Sequence, residues 1–252
     1  EEEFAMRVGV VSDIHYPYED PRAEGLFLSI LPDLNLDGLM ILGDAVDFEP
    51  ISRFVTHPRH KLDLKPQIQE ARKHFATIRK TLPDAKIWYK AGNHELRLET
   101  YLYTRAPELV EIEALTVSEL MRLKELDIEW VPWEKDFKVG KLNLTHGDEY
   151  RVGSTYPARN TYLKVAANLL VGHHHRQDQY LHRHFKSDVH GVWVNPCLCQ
   201  LSAGRWAKFP QWHQGFSTIT TTRSGYFDVM QKVFWRVGGK LHTMINGKLY
   251  VR

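Results

Sequence analysis

Asp44 follows Gly43 at the end of an apolar run, residues 39–42. Such a run reads as a buried strand, and an acid at its C-terminal tip faces a ligand rather than the core. The two oxygens of Asp44 suit it to bridging two cations. Ligands for such cations recur along the chain at Asp13, His15, Asn93, His146, His173 and His175. The chain has fourteen histidines, and histidine is the commonest metal-ligating side chain near neutral pH. Burying this many acids and imidazoles with no cation between them would be costly.

These groups need elements to hold them. Residues 6–12 form a short Val-rich run that ends in Ser-Asp-Ile-His, a strand delivering Asp13 and His15. In extended backbone, residues two apart point the same way, so this pair is expected to grip one ion. Residues 21–34 read as a helix with Leu26, Phe27, Ile30 and Leu31 on one face, and the Asp44 strand follows. Strand, helix, parallel strand is the start of a layered α/β fold. Pro66 opens a second helix to residue 82, striped by Ile68, Ala71, Phe75 and Ile78. A third strand, residues 86–90, runs into Gly-Asn-His-Glu at 92–95.

Residues 96–103 and 107–126 are expected to be helical, with a structural or lid role. Beyond Ile128 the texture turns to short strands. A hairpin about Gly140 leads to His146, and residues 150–162 read as a polar loop with Arg151 and Arg159. Residues 167–171 run as a strand into Gly-His-His-His at 172–175. The rest alternates as sheet: residues 191–196, 215–222 and 225–237, then a hairpin at Asn246-Gly247. No repeat or linker divides the chain, so one domain over 6–252 is expected. Met6-Arg7-Val8 reads as a natural start, and residues 1–5 are left outside the fold argument.

Asp13-x-His15, Gly43-Asp44-x-x-Asp47, Gly92-Asn93-His94-Glu95, His146 and Gly172-His173-x-His175 stand in the order of a known motif series. Together they resemble the calcineurin-like metallophosphoesterases over roughly residues 8–196. The resemblance implies that family's α/β fold, a four-layer α/β/β/α sandwich of two mixed β-sheets with the site at the strand tips. It implies one cation held by Asp13, His15, Asp44 and His175, and a second held by Asp44, Asn93, His146 and His173. Mixed oxygen and nitrogen donors suit two divalent ions of the Mn2+, Fe, Zn, Ni or Co class, with Mn2+ foremost. The implied reaction is phosphoester hydrolysis by a hydroxide shared between cations ~3.5–4 Å apart. His94 is the implied general acid, with Asp47 orienting it. Capping a helix start is the plainer alternative for Asp47.

Neighbouring residues have plainer readings. His174 sits between two candidate ligands and is expected to point away from them. Asp148 either orients His146 or closes a turn. Arg97 is read as part of a solvated helix face, with phosphate contact as the alternative, and Cys197 and Cys199 are read as core thiols.

The substrate class follows from departures within the family. Protein phosphatases of this kind resemble each other in an Arg-Gly after the second aspartate, where this chain has Phe48-Glu49. The Gly-His-x-His block resembles the diesterase and nuclease branches. A phosphodiesterase acting on nucleic acid or nucleotides is the expectation, with single-stranded or flapped DNA as candidate partner. Residues 53–61 are basic, and residues 205–213 interleave Trp206, Phe209 and Trp212 with Arg205 and Lys208, a composition suited to stacking bases beside a basic groove. Trp packing beneath a loop is the plain alternative. A phosphomonoesterase and a non-catalytic scaffold of the same fold are the other two function classes.

Bulk properties agree with a globular enzyme. The 252 residues are 43% hydrophobic and 25% charged, with net charge +2, compatible with a polyanionic substrate without requiring one. No apolar run reaches the ~18 residues of a membrane span. Two cysteines, two positions apart, make no secreted framework, so a reducing, cytoplasmic setting is expected.

Overall fold

The computed structural model describes residues 3–53, 63–153, 155–183, 189–202 and 210–252. The chain runs through β1 (Phe4–Val11), α1 (Pro21–Ile30), β2 (Gly38–Leu42), α2 (Leu64–Thr81), β3 (Lys86–Lys90), α3 (Leu96–Arg105), α4 (Val117–Leu120), β4 (Ile128–Val131), β5 (Phe137–Val139), β6 (Leu142–Thr145) and α5 (Pro157–Val165). It continues through β7 (Leu169–Val171), β8 (Asp178–Arg183), β9 (Val189–Val194), β10 (Gly215–Thr222), β11 (Phe227–Val233), β12 (Trp235–Val237), β13 (Lys240–Ile245) and β14 (Lys248–Val251).

Among the described residues these strands form three sheets. A six-stranded sheet has the order β11-β10-β1-β2-β3-β4, and a five-stranded sheet has the order β5-β6-β7-β9-β8. Both are mixed. Strands β1 to β4 run parallel while β10 and β11 join antiparallel. The other sheet is parallel from β6 through β7 to β9, with antiparallel edges β5 and β8.

The two-residue period of each strand sorts side chains between layers. In β2, Leu39 and Ile41 pack with Phe27 of α1 and Phe75 of α2. Met40 and Leu42 point the other way and meet Leu144 and Leu170 of the second sheet. That sheet's outer face, Leu169 and Val171, is covered by Ala158 and Tyr162 of α5. Helices, sheet, sheet and helix thus stack as the expected four-layer α/β/β/α sandwich.

Several elements differ from the expectation. β1 begins at Phe4, whose backbone neighbours Thr222 on β10. Residues 107–126 are broken into short 3₁₀ turns and the one-turn α4 rather than one helix. Thr116 starts α4 afresh by accepting the Glu119 N–H, and Arg122 and Asp127 turn the chain through positive φ. The expected polar loop 150–162 gives way to α5, which Pro157 opens at its first turn. Residues 225–237 are two strands in different sheets, divided at Phe234, which buries its ring and donates its N–H to the Gln214 carbonyl. β12, β13 and β14 then form a separate antiparallel sheet. No helix among the described residues is long and apolar enough to cross a membrane.

Candidate metal centre

The site forms where strands of both sheets stop. Beyond β1 and β2 the chain runs on as two loops held side by side: Asp13 N–H donates to the Gly43 carbonyl, His15 N–H to Asp44, and Tyr16 N–H to Ala45. Asp13, His15, Asp44, His173 and His175 all have left-handed backbone, with φ between 51° and 64°. Non-glycine residues adopt that region seldom, and clusters of them mark functional sites. The expectation that Asp13 and His15 converge holds, but the reason differs. Left-handed turns aim both side chains at one point, where extended backbone was expected to do so.

On one side of Asp44 lie Asp13, His15 and His175, whose donor atoms all fall within 4.8 Å of one another. His175 Nε2 is 3.2 Å from Asp13 Oδ1 and 3.0 Å from His15 Nε2. His15 Nε2 is in turn 3.8 Å from Asp44 Oδ2. On the other side, Asp44, His146 and His173 form a second such cluster. His146 donates from Nδ1 to the Leu42 carbonyl at 2.8 Å, which leaves the lone pair on Nε2. That nitrogen stands 3.0 Å from Asp44 Oδ2 and has no aligned hydrogen-bond partner. Asn93 Oδ1 is likewise buried without a partner. Two orphaned acceptors and two ring nitrogens nose to nose are what a cation between them would satisfy. The donor set fits metal ions.

Electrostatics couple these groups: burial disfavours charge on His146 and His175, yet Asp44 and Asp13 raise their pKa values. Burial opposes charge on Asp13, but the His175 and His146 rings outweigh it and bring its pKa down to about 2. Asp44 is desolvated too, yet His146 and His94 hold it well below the usual carboxylate range. Burial, then the neighbouring His146, lowers His173 to about 4, so its ring is neutral near pH 7.

Two glycines leave the room this packing needs. A Cβ on Gly92 would lie 2.3 Å from Asp44 Oδ1, and one on Gly43, at φ 84°, would lie 2.3 Å from His146 Nδ1.

Asp47 and His94 adjoin the first cluster. His94 donates from Nδ1 to the Asp47 carbonyl at 2.9 Å, and the Asp47 carboxylate expected to pair with it lies 3.4 Å from the same nitrogen. The Asp47 carboxylate also faces His15 Nδ1 at 3.3 Å and accepts from Arg97 at 3.0 Å. Arg97 therefore does not sit on a solvated helix face. Its other terminal nitrogen lies 3.0 Å from His94 Nε2. Asp148 accepts from the Trp133 indole and does not orient His146, whose partner is Leu42. His174 belongs to none of the four metal-sized clusters among the described residues, one of which joins His94 to His15 and Asp44. Of the two basic-aromatic stretches, residues 54–62 and 203–209 lie outside the described residues; Trp212 sets its ring edge against His175, centroids 4.5 Å apart.

Glu95 is the functional residue that sequence reasoning passed over. It is 1% exposed. Its carboxylate accepts the N–H groups of Asp44, Ala45, Val46 and Gly92 and the Tyr89 hydroxyl. One side chain thus ties the β2 loop to the β3 loop, and an acid directly after the Asn93-His94 pair was the signal available.

The Gene 54 protein of Mycobacterium phage L5 is 24% identical over 231 residues, covering 86% of this chain and 89% of that protein. Vacuolar Protein Sorting 29 from Cryptosporidium parvum superposes with a TM-score of 0.46 at 12% identity, over 99% of this chain and 97% of that one. YfcE, a phosphoesterase from E. coli, gives 0.41 at 12% identity, over 89% and 98%. The family model described as calcineurin-like phosphoesterase matches residues 6–196. With that match spanning most of its length, the chain belongs to the calcineurin-like phosphoesterases.

Proposed function

We propose that this chain, as one domain over residues 6–252, is a two-metal phosphodiesterase acting on nucleic acid or nucleotides. The observation that carries the reading is Asp44, whose carboxylate adjoins two separate donor clusters. Asp13, His15, Asp44 and His175 would hold one divalent cation, and Asp44, Asn93, His146 and His173 the other, with Mn2+ the ion chosen for assay. Bound there, such a pair would supply Lewis-acid polarisation of the phosphoryl group and acidify water at neutral pH.

The remaining work belongs to side chains. Asp47 keeps the His15 ring oriented, and its carbonyl fixes His94 with Nε2 turned toward the site. Burial disfavours charge on His94, but Asp44 and Asp47 together raise its pKa, which suits a proton donor to the leaving oxygen. An Arg97 terminal nitrogen lies 3.0 Å from His94 Nε2. A phosphoryl oxygen that draws the guanidinium onto itself frees Nε2 to carry that proton.

Diester preference is supported by Phe48-Glu49 standing where the phosphatases carry Arg-Gly, and by the Gly172-His173-x-His175 block. A second reading, phosphomonoesterase, draws on Arg97, because a guanidinium beside His94 suits a phosphate dianion. A bis-ester reporter, a monoester, single-stranded DNA and duplex DNA, assayed side by side with Mn, Ni, Zn and Mg, separate the two. Faster turnover of the monoester at equal metal would sink the diesterase reading. Turnover of no ester by metal-loaded protein would leave only a scaffold.

A further inference from the structure

Behind His175, on the side away from Asp13, the structure gathers two more soft donors. His175, Cys197 and Cys199 are all buried and offer ligand atoms within 4.8 Å of one another. Cys199 Sγ lies 3.8 Å from His175 Nδ1, and Cys197 Sγ lies 3.4 Å from the His213 carbonyl. Both cysteines are free thiols. Their backbone is pinned: Cys197 bridges both Ser12 and Gln214, and Cys199 bridges Glu19. The sulfurs are therefore built into the same floor that carries Asp13 and His15.

Two thiols and an imidazole are a donor set that soft cations such as Zn2+ and Cd2+ choose, and that Mn2+ and Mg2+ do not. We infer that Cys197, Cys199 and His175 Nδ1 form a third, thiophilic cation site, and that its occupant competes with the catalytic centre for one imidazole. The inference rests on His175 serving the first cation through Nε2.

The competition follows from imidazole chemistry. A neutral ring has one lone pair and one N–H. With the proton on Nδ1, facing Cys199 sulfur, the lone pair sits on Nε2 and points among Asp13 and His15. A cation taken by Nδ1 and the two sulfurs reverses this. The two thiol protons pass to solvent, the ring proton leaves Nδ1 and Nε2 takes one up from solvent in its place, so the first cation would lose a ligand. The same side chain cannot serve both as a neutral ring. A soft metal would therefore inhibit from behind the site, without touching substrate.

Cadmium tests this in the intact, reduced protein preloaded with manganese. Thiolate coordination is read by the cadmium–sulfur charge-transfer band in the ultraviolet, and bound manganese by electron paramagnetic resonance after separation from free ion. One equivalent of Cd2+ is expected to raise the band and release one equivalent of manganese. C197A and C199A, made singly so that one failing to fold leaves the other, are expected to lose the band and keep their manganese under cadmium. No band at one equivalent, or a full band with manganese undisturbed, overturns the inference. A band in protein that never took up manganese would sink the two-metal reading while leaving the thiol site standing.

Discussion

Replacing Glu95 by Gln asks how much of the site hangs on one carboxylate. Oε1 accepts from Ala45 N, Val46 N and Tyr89 Oη at 3.0, 3.3 and 2.5 Å, and Oε2 accepts from Asp44 N and Gly92 N, both at 2.8 Å. Glutamine keeps one acceptor oxygen and presents an NH2 at the other position. In its better orientation, with the amide oxygen toward Ala45, Val46 and Tyr89, the Asp44 and Gly92 N–H groups still lose their acceptor. A buried donor left unsatisfied costs about 1–3 kcal/mol, so the pair costs roughly 2–6 kcal/mol. Tyr89→Phe removes one donor and leaves no backbone group orphaned, which predicts a smaller loss of about 0.5–1.5 kcal/mol. Urea unfolding of wild type, Y89F and E95Q measures both. For a chain of this size, E95Q should melt at least about 4 °C lower. The orphaned groups sit on the Asp44 and Asn93 loops, so E95Q should also bind manganese more weakly than Y89F does. Were E95Q as stable as wild type within about 0.5 kcal/mol, the view of Glu95 as the tie between these loops would be refuted.

Three further predictions address other parts of the molecule. His94→Ala should lower kcat on an unactivated ester by on the order of 10²–10⁴ while metal content persists, and the loss should shrink for a reporter whose leaving group needs no proton; unchanged activity on both would remove His94 as the donor. Gly92→Ala drives a methyl to within 2.3 Å of Asp44 Oδ1, so equilibrium dialysis should find metal binding impaired, and full occupancy would contradict the packing described. Burial, with Glu24, Glu70 and Asp20 nearby, raises the pKa of Glu19 to about 7. Its raised pKa favours the protonated native state, a contribution fully present below about pH 4 and lost as pH rises through 7. Glu19→Gln should therefore gain on wild type as pH climbs from 5 to 8, and parallel stability curves would refute the assignment.

Much of the candidate site was legible along the chain because it is made of residue types that have few other reasons to recur at strand ends. Asp13, His15, Asp44, Asn93, His146, His173 and His175 each close a strand or follow it closely, and buried apolar runs such as residues 39–42 announce those strands. The unbroken apolar run of β2 likewise marked a buried strand, but that helices cover Leu39 and Ile41 while the second sheet covers Met40 and Leu42 came only from the fold.

What only the tertiary structure decided lies in contacts between loops far apart in the chain. Arg97 reads as one more charge on a polar helix until the fold brings it onto Asp47, fifty positions earlier. Glu95 looks like any acid in a tight turn until four amides from two loops close around it. The left-handed backbone at five of the candidate ligands draws on residue types that tolerate it, Asp and His, but at Asp13, His15 and Asp44 it is fixed where two loops pair. The break at Phe234 has the same origin: a strand-like run is divided because its ring finds a buried place that continued pairing would deny it. Local pattern sets which groups can do chemistry and roughly where strands end; the directions in which those groups point depend on neighbours the local pattern does not contain.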